Sequence, residues 1–349
     1  MDYYFLDLVS WQHSQALYHA AAYLKRDALL ILRPDSPYVC IGYHQDVGQE
    51  IDLAFTRAND IPIFRREVGG GAVYLDGEQL FYQLIIHSDH PAIPGNKNDF
   101  YRIFLQPVID VYRLFGVYAT FKPVNDIIAN GRKVSGNGAA EIEGMTILVG
   151  NFIMDFNYEM MSKCLRVPDE KFRDKVFKTL NENLSTIRRE TGTIPATADL
   201  ASALASAYQE LLGELQPREL DAELLAKADE LATEMYTDEW LFANDRRRSD
   251  AKQVKIREGV YVIQKVVKLP GGLVRANAVV EDGLLHEVHL SGDFFFYPAG
   301  AILELEQTLD GTSANLDQLT KKIQDFYYQR AIESPGINAE NLAQIFISA

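Results

Sequence analysis

Arg65-Arg66-Glu67-Val68-Gly69-Gly70-Gly71-Ala72-Val73-Tyr74-Leu75-Asp76 is followed downstream by Asn125-Asp126 and then Gly131-Arg132-Lys133-Val134-Ser135-Gly136-Asn137-Gly138. Three successive glycines after an arginine pair let a backbone approach a ligand closely, because a residue without a Cβ tolerates positive φ and leaves room for a phosphate or an acyl chain. Gly131-Arg132-Lys133 lies between the apolar runs Ile127-Ile128-Ala129 and Met145-Thr146-Ile147-Leu148-Val149. That placement puts Lys133 in a strand or its turn, held by rigid neighbours. A cation fixed in this way can face the glycine segment.

Outward from this stretch, Trp11 to Lys25 has helical spacing of apolar residues with Ser10 placed to cap it, and Ala28-Leu29-Leu30-Ile31-Leu32 has the composition of a strand. Strand-like runs recur at Ile61-Pro62-Ile63-Phe64, Ala72-Val73-Tyr74 and Leu80 to Ile86, and a helix is expected from Asp99 to Leu114. Two helices are expected between Ala198 and Thr237, separated at Gln216-Pro217, where proline removes an amide donor. Asn244-Asp245-Arg246-Arg247-Arg248-Ser249-Asp250 has the polar composition of an exposed linker. Beyond it, Lys255 to Lys268, Leu273 to Val280 and Leu284 to Leu290 read as antiparallel strands, turning at Pro270-Gly271-Gly272 and Glu281-Asp282-Gly283. Helices follow from about Pro298, Asn315 and Asn338. Strands and helices mix without regular βαβ alternation, so the expected class is α+β. A mixed or antiparallel sheet domain is expected at residues 1–243 and a smaller α+β domain at 251–349.

A chain of 349 residues with 47% hydrophobic content is long enough for two cores. Its net charge of −15 disfavours nonspecific binding to nucleic acid or an anionic membrane, so an acidic partner has to meet a local basic patch. No apolar run approaches the ~18 residues of a membrane span, and Met1-Asp2-Tyr3-Tyr4-Phe5 lacks the positive start of a secretory signal. A cytoplasmic protein is the expectation. Cys40 and Cys164 are too few for a disulfide framework or a four-cysteine zinc site. Cys40, inside the apolar run Tyr38-Val39-Cys40-Ile41-Gly42, reads as a packed thiol rather than a nucleophile, and Cys164 on a helix is read the same way.

Taken together, Arg65-Arg66-x-x-Gly69-Gly70-Gly71-Ala72-Val73 and Arg132-Lys133-x-Ser135-Gly136 resemble the signature of the lipoate-protein ligase family, relatives of octanoyltransferases and biotin-protein ligases. Gly42-Tyr43-His44-Gln45-Asp46 with Glu50, Asn125-Asp126, Trp240-Leu241-Phe242 and Ser291-Gly292-Asp293-Phe294-Phe295 extend the resemblance over nearly the whole chain. It implies the biotin/lipoate ligase type of catalytic domain with a C-terminal accessory domain. It also implies a two-step reaction, in which ATP and lipoate form lipoyl-AMP and a lysine of a lipoyl-domain protein then takes the acyl group. The acceptor would be the glycine-cleavage H protein, a 2-oxoacid dehydrogenase acyltransferase subunit or a lipoate-binding carrier. Val68 and Leu75 stand where many members carry Ser or Thr and His, so a specialised subfamily is expected.

Attachment of a carboxylate to an amine needs prior activation, because an oxide ion is too poor a leaving group. In the implied scheme Lys133 is catalytic, neutralising charge on the acyl carbonyl and the α-phosphate. Arg65 and Arg66 would offer donors to phosphate or carboxylate oxygens. Gly69, Gly70 and Gly71, with Ala72 and Val73 after them, would lie along the ligand. Asn125 and Asp126, with Ser135, Gly136 and Asn137, would contact the nucleotide, and Asp126 would bind Mg2+ bridging its phosphates. Ser135 and Asn137 can equally just stabilise their turn, and Gln45 and Glu50 read as exposed loop residues. Two rival readings stand beside the ligase: an ATP-independent octanoyl or lipoyl transferase drawing on an acyl-carrier thioester, and a noncatalytic binder of lipoate or lipoyl domains. The transferase would need a cysteine shortly before the Arg-Lys pair, and Tyr118-Ala119-Thr120-Phe121-Lys122-Pro123 has none.

Overall fold

The computed structural model describes residues 1–245 and 260–347. Their contacts divide into two compact units. The first comprises residues 1–40, 50–66 and 72–241, and the second comprises residues 41–49, 67–71 and 242 onward. The expected linker lies outside the described residues from Arg246 on, as does the start of the expected strand from Lys255.

The first unit is built on a six-stranded mixed sheet. Asp2–Val9 runs parallel to Ala28–Pro34, which pairs antiparallel with Gln79–His87, and the latter is antiparallel to Met145–Ile153. Asn137–Ile142 closes one edge. At the other edge Gln216–Pro217, expected only as a break between helices, adds two residues parallel to Asp2 and Tyr3. Ala28–Pro34 and Gln79–His87 are buried nearly throughout, which is why they read as continuous apolar runs rather than alternating ones. Helices Lys97–Phe104, Gln106–Leu114 and Thr197–Leu212 supply Phe100, Phe104, Val108, Leu200 and Leu204 to the same core as Leu29 and Leu84 of the sheet. The single helix expected from Asp99 to Leu114 is thus two, meeting at Leu105. Pro107 sits in the first turn of the second and has no N–H to continue the ladder of the first. The helix expected from Trp11 to Lys25 spans His13–Tyr23, with Gln12 rather than Ser10 at its N-cap, while Ser10 Oγ accepts from His13 N at 3.2 Å in the turn before it.

A three-stranded antiparallel sheet, Thr120–Lys122, Asp126–Ala129 and Arg132–Ser135, carries the candidate lysine.

In the second unit Val260–Leu269, Gly272–Glu281 and Leu284–Asp293 form an antiparallel meander. Every second residue of Gly272–Glu281 is buried, the period of a strand with one face on a core. Asp282 and Gly283, with φ of 51° and 79°, make the tight turn between the last two strands, the left-handed pair that a two-residue hairpin demands. Helices Ala301–Leu309, Leu316–Gln329 and Ala339–Ile345 cover the buried face with Leu305, Leu319, Ile323 and Leu342. Asn315 and Asn338 cap the last two, accepting from Gln318 N and Asn341 N.

Candidate functional site

Lys133 sits mid-strand, its backbone held on both sides. It pairs with Ile128 on one flank, and its carbonyl accepts from Ser185 N at 2.8 Å on the other. Between Ile127↔Ser135 and Ile128↔Lys133 the register slips by one residue, which makes Val134 a β-bulge. The extra residue breaks the alternation of faces. Val134 and Ser135 are both fully buried, while the Lys133 side chain keeps 38% of its surface. Its Nζ lies 2.7 Å from Asp126 Oδ1 on the neighbouring strand, so the candidate cation and the candidate carboxylate form one ion pair.

Beneath Lys133 lies a net of buried amides and hydroxyls. Ser135 Oγ lies 2.6 Å from Asn151 O and 3.1 Å from Asn137 Oδ1, with one proton to give to either, and Asn137 Oδ1 accepts from the Tyr82 hydroxyl. Asn125 and Asn137 are tied reciprocally, each side-chain amide donating to the other's carbonyl. Gly136 N donates to Asn151 Oδ1 at 2.8 Å, and Asn151 Nδ2 to Gln79 Oε1 at 2.8 Å. Gly150 leaves the room this requires, since a Cβ there would stand 2.3 Å from the Tyr82 hydroxyl. Of the two roles open to Ser135 and Asn137, the structure displays the turn-building one. Burial pushes the Tyr82 hydroxyl above its ordinary range, so it remains a neutral donor.

The two arginines differ. Arg65 is 1% exposed and donates from Nε to Leu241 O at 2.9 Å, while its own carbonyl accepts the Trp240 indole N–H. The tryptophan segment and the arginine thus hold each other inside the first unit. Arg66 is half-buried, with Nη1 3.3 Å from Cys40 O and 3.6 Å from Cys40 Sγ. Ala72 and Val73 are half-buried, and Val73 pairs with Cys40 across the small sheet.

The glycine segment belongs to the second unit, where residues 67–71 pack on the Asp293-Phe294-Phe295 run. Gly70 N donates to Phe294 O at 3.1 Å. A Cβ on Gly69 would stand 2.6 Å from Phe294 O, one on Gly42 would stand 1.8 Å from Gly70 O, and one on Gly71 would meet the Asp293 carboxyl at 3.1 Å. Chain thus approaches chain where sequence reasoning placed only a ligand. Gln45, expected in an exposed loop, is 2% exposed, and its Oε1 accepts from Gly42 N, closing the turn after the strand Tyr38–Ile41. The His44 ring stacks on Phe294 at 4.8 Å.

Both cysteines are buried. Burial pushes the Cys40 thiol up, only partly countered by Arg66, and pushes Cys164 up to about 11. Asp46 is raised to about 6 by burial and by the Asp245 carboxylate beside it. Asp245 itself accepts from Val47 N and Gly48 N at 2.8 and 3.0 Å. Among the described residues no group of three His, Cys, Asp or Glu is placed to hold a metal ion, and no helix is long and apolar enough to cross a membrane.

Sequence reasoning missed Gln79, Tyr82, Gly150 and Asn151. The signal was available: Asn151 interrupts the apolar run of Met145–Ile153, and a polar residue inside a buried strand must have partners.

The first unit thus sets a mixed sheet alongside a separate three-stranded sheet that carries the bulged lysine strand, and the second unit is a small α+β body. Residues 7–209 match the Lipoyl protein ligase A/B catalytic domain family and residues 260–346 the Bacterial lipoate protein ligase C-terminus. The chain belongs to the lipoate ligase and octanoyltransferase family and is an enzyme of that group. It is 30% identical over 248 residues to lipoate-protein ligase A subunit 1 of Thermoplasma acidophilum, covering 66% of this chain and 90% of that one. It is 27% identical over 229 residues to the octanoyltransferase LipM of Kyrpidia tusciae, covering 59% and 83%. Similarity to the lipoate-protein ligase LplJ of Bacillus subtilis is lower, 24% over 320 residues, but spans 91% of this chain and 86% of the relative. Among solved structures, the bipartite lipoate protein ligase studied with its E2 lipoyl domain from Thermoplasma acidophilum superposes with a TM-score of 0.61 at 26% identity, over 72% of this chain and 98% of that one. A lipoate-protein ligase A bound with ATP superposes with a TM-score of 0.57 at 25% identity, over 69% and 98%.

Proposed function

We propose that the chain is an ATP-dependent lipoate-protein ligase. The observation that carries this reading over the transferase is the state of the thiols. A thioester-exchanging enzyme needs an accessible cysteine with a depressed pKa, and the chain's two cysteines are both buried with raised ones. Support also comes from the C-terminal family match, and from a ligase relative that matches 91% of this chain where the LipM match takes in 59%.

In this reading a carboxylate oxygen of lipoate attacks the α-phosphorus of ATP and pyrophosphate leaves. The acceptor lysine amine then attacks the acyl carbonyl, AMP leaves, and the amine gives up its proton. Lys133 supplies a positioned charge for both oxygens on which negative charge builds, a contribution of about 3–4 kcal/mol in a preorganised site. Approach of the α-phosphate to Lys133 takes over part of the role Asp126 plays in the ion pair, freeing that carboxylate to face the nucleotide's magnesium. Arg66 is assigned the phosphate or carboxylate oxygens, while Arg65 anchors the strand end. Gly69, Gly70 and Gly71 are assigned to run along the ligand, with Ala72 and Val73 beside the acyl chain, whose burial contributes about 0.8 kcal/mol per methylene. Asn125 faces the nucleotide, and Ser135, Gly136 and Asn137 shape the turn beside it. A lipoyl-domain protein, the H protein, a dehydrogenase acyltransferase subunit or a carrier, is the acceptor, in the cytoplasm.

The test offers the purified chain a lipoyl domain with either lipoate plus ATP or an octanoylated carrier protein without ATP. Acceptor mass and pyrophosphate are followed. Lipoylation with one pyrophosphate per acyl group is expected. Acylation from the carrier without ATP would move the chain to the transferases, as the LipM similarity suggests, and retention of lipoate without pyrophosphate release would make it a binder.

A further inference from the structure

A chain of hydrogen bonds in the first unit starts at the strand after the glycine segment and ends under Lys133. Gln79 Nε2 donates to Tyr74 O at 3.0 Å, on the strand Val73–Leu75. Gln79 Oε1 accepts from Asn151 Nδ2 at 2.8 Å, and Asn151 Oδ1 accepts from Gly136 N at 2.8 Å. Gln79 is 1% exposed and Asn151 8%, so neither amide is on hand to bind solvent. The Gly136 peptide reached in this way lies beside the Lys133 side chain. A Cβ on Gly136 would stand 4.0 Å from Lys133 Cε and 3.7 Å from Asn151 Oδ1.

The geometry points to Gln79 and Asn151 as positioning residues: they fix the peptide beside which Lys133 lies, and so the place of its ammonium, relative to the strand Val73–Leu75. The bonds are directional and buried, and each amide uses both its oxygen and its nitrogen, so flipping either one would set like against like and the relay admits one arrangement. A displacement of the ammonium by about 1 Å is enough to cost a charge-stabilising group much of its effect. This rests on the assignment of Lys133 above, so its test reads the lysine itself as well as turnover.

Trace labelling with acetic anhydride gives the reactivity of Lys133 relative to the other lysines of the intact chain. Asn151→Ala removes both bonds and loosens the Lys133–Asp126 pair, so the amine leaves its carboxylate partner more often and is more accessible to the reagent. Labelling at Lys133 is expected to rise about fivefold or more, with other lysines unchanged, the melting temperature kept within a few degrees, and turnover reduced about tenfold or more at a nearly constant KM. Gln79→Met, close to glutamine in shape, breaks the relay one step further away and is expected to raise labelling by about twofold to threefold. It serves as the deciding variant if Asn151→Ala does not fold. Labelling at Lys133 indistinguishable from wild type in a folded variant overturns the relay. Failure of the ligase reading would show separately, as no ATP-dependent acylation by the wild-type chain, and leaves the labelling result intact.

Discussion

The Lys133 hairpin and the glycine segment use opposite means to hold a backbone in place. Around Lys133 the chain is fixed by side chains, with Ser135, Asn137 and Tyr82 hydrogen-bonded among themselves and the Asn151 amide held between Gly136 and Gln79. Around Gly69 to Gly71 it is fixed by their absence, because Phe294 and Asp293 come close only where no Cβ stands. The first arrangement is harmed by taking atoms away and the second by adding them. Each also tolerates what the other does not. A polar network can lose one member and relax, whereas a backbone clash has no rotamer to escape into.

The largest effect expected from disturbing either region is catalytic. Lys133→Ala should lower acyl transfer by about 10²–10³-fold while leaving the melting curve nearly unchanged, because its 38%-exposed side chain supports function rather than the core. Separate assays of pyrophosphate release and acceptor acylation check this, and a loss of fold instead would merge the two regions into one kind. Next comes Gly42→Ala, whose new Cβ would stand 1.8 Å from Gly70 O. The obstacle is main chain rather than the end of a flexible side chain, so the backbone must shift, at a cost of about 3 kcal/mol or more, read by denaturant unfolding. A cost below about 1 kcal/mol would show that the glycine segment yields readily.

The smallest effect concerns pH. Asp46, in the second unit, has its pKa raised from the usual carboxylate value to about 6. The folded state therefore binds this proton more tightly than the unfolded state. The stability it contributes is full below about pH 4 and is lost as pH rises through about 6. Asp46→Asn keeps an acceptor for Gln49 N and gains a donor toward Asp245, removing the penalty. It should stabilise by about 1–2 kcal/mol at pH 8, discounted for partial exposure, and by nothing at pH 4. Thermal melts of both proteins across that range give the comparison, and a gain independent of pH would contradict the sign.

Much of the framework could be read from residue order. Apolar runs such as Ala28–Pro34 announce a strand buried on both faces, and the alternation in Gly272–Glu281 announces one buried on a single face. Asn315 and Asn338 marked their helices by the chemistry of a cap. Gln216–Pro217 was read as a break, because two residues are too few to carry a periodic signal, and only their parallel partners Asp2 and Tyr3 make them a strand. The residues proposed for the site could be picked out in the sequence, but not what surrounds them. Lys133 and Arg66 stand out by charge and glycine context. The burial of Arg65 depends on Leu241 and Trp240, far away in sequence, and that of Gln45 on a turn that alternation cannot foresee.

Val134 gives the hairpin an odd count. In an uninterrupted strand, residues two apart share a side, and Lys133 and Ser135 would emerge together. One supernumerary residue separates them, sending the ammonium toward the accessible side and the hydroxyl inward. A regular register, with Val134 paired to Ile128, would therefore put both groups on one side without a single change of residue. Which side the lysine takes is set by arithmetic as much as by composition.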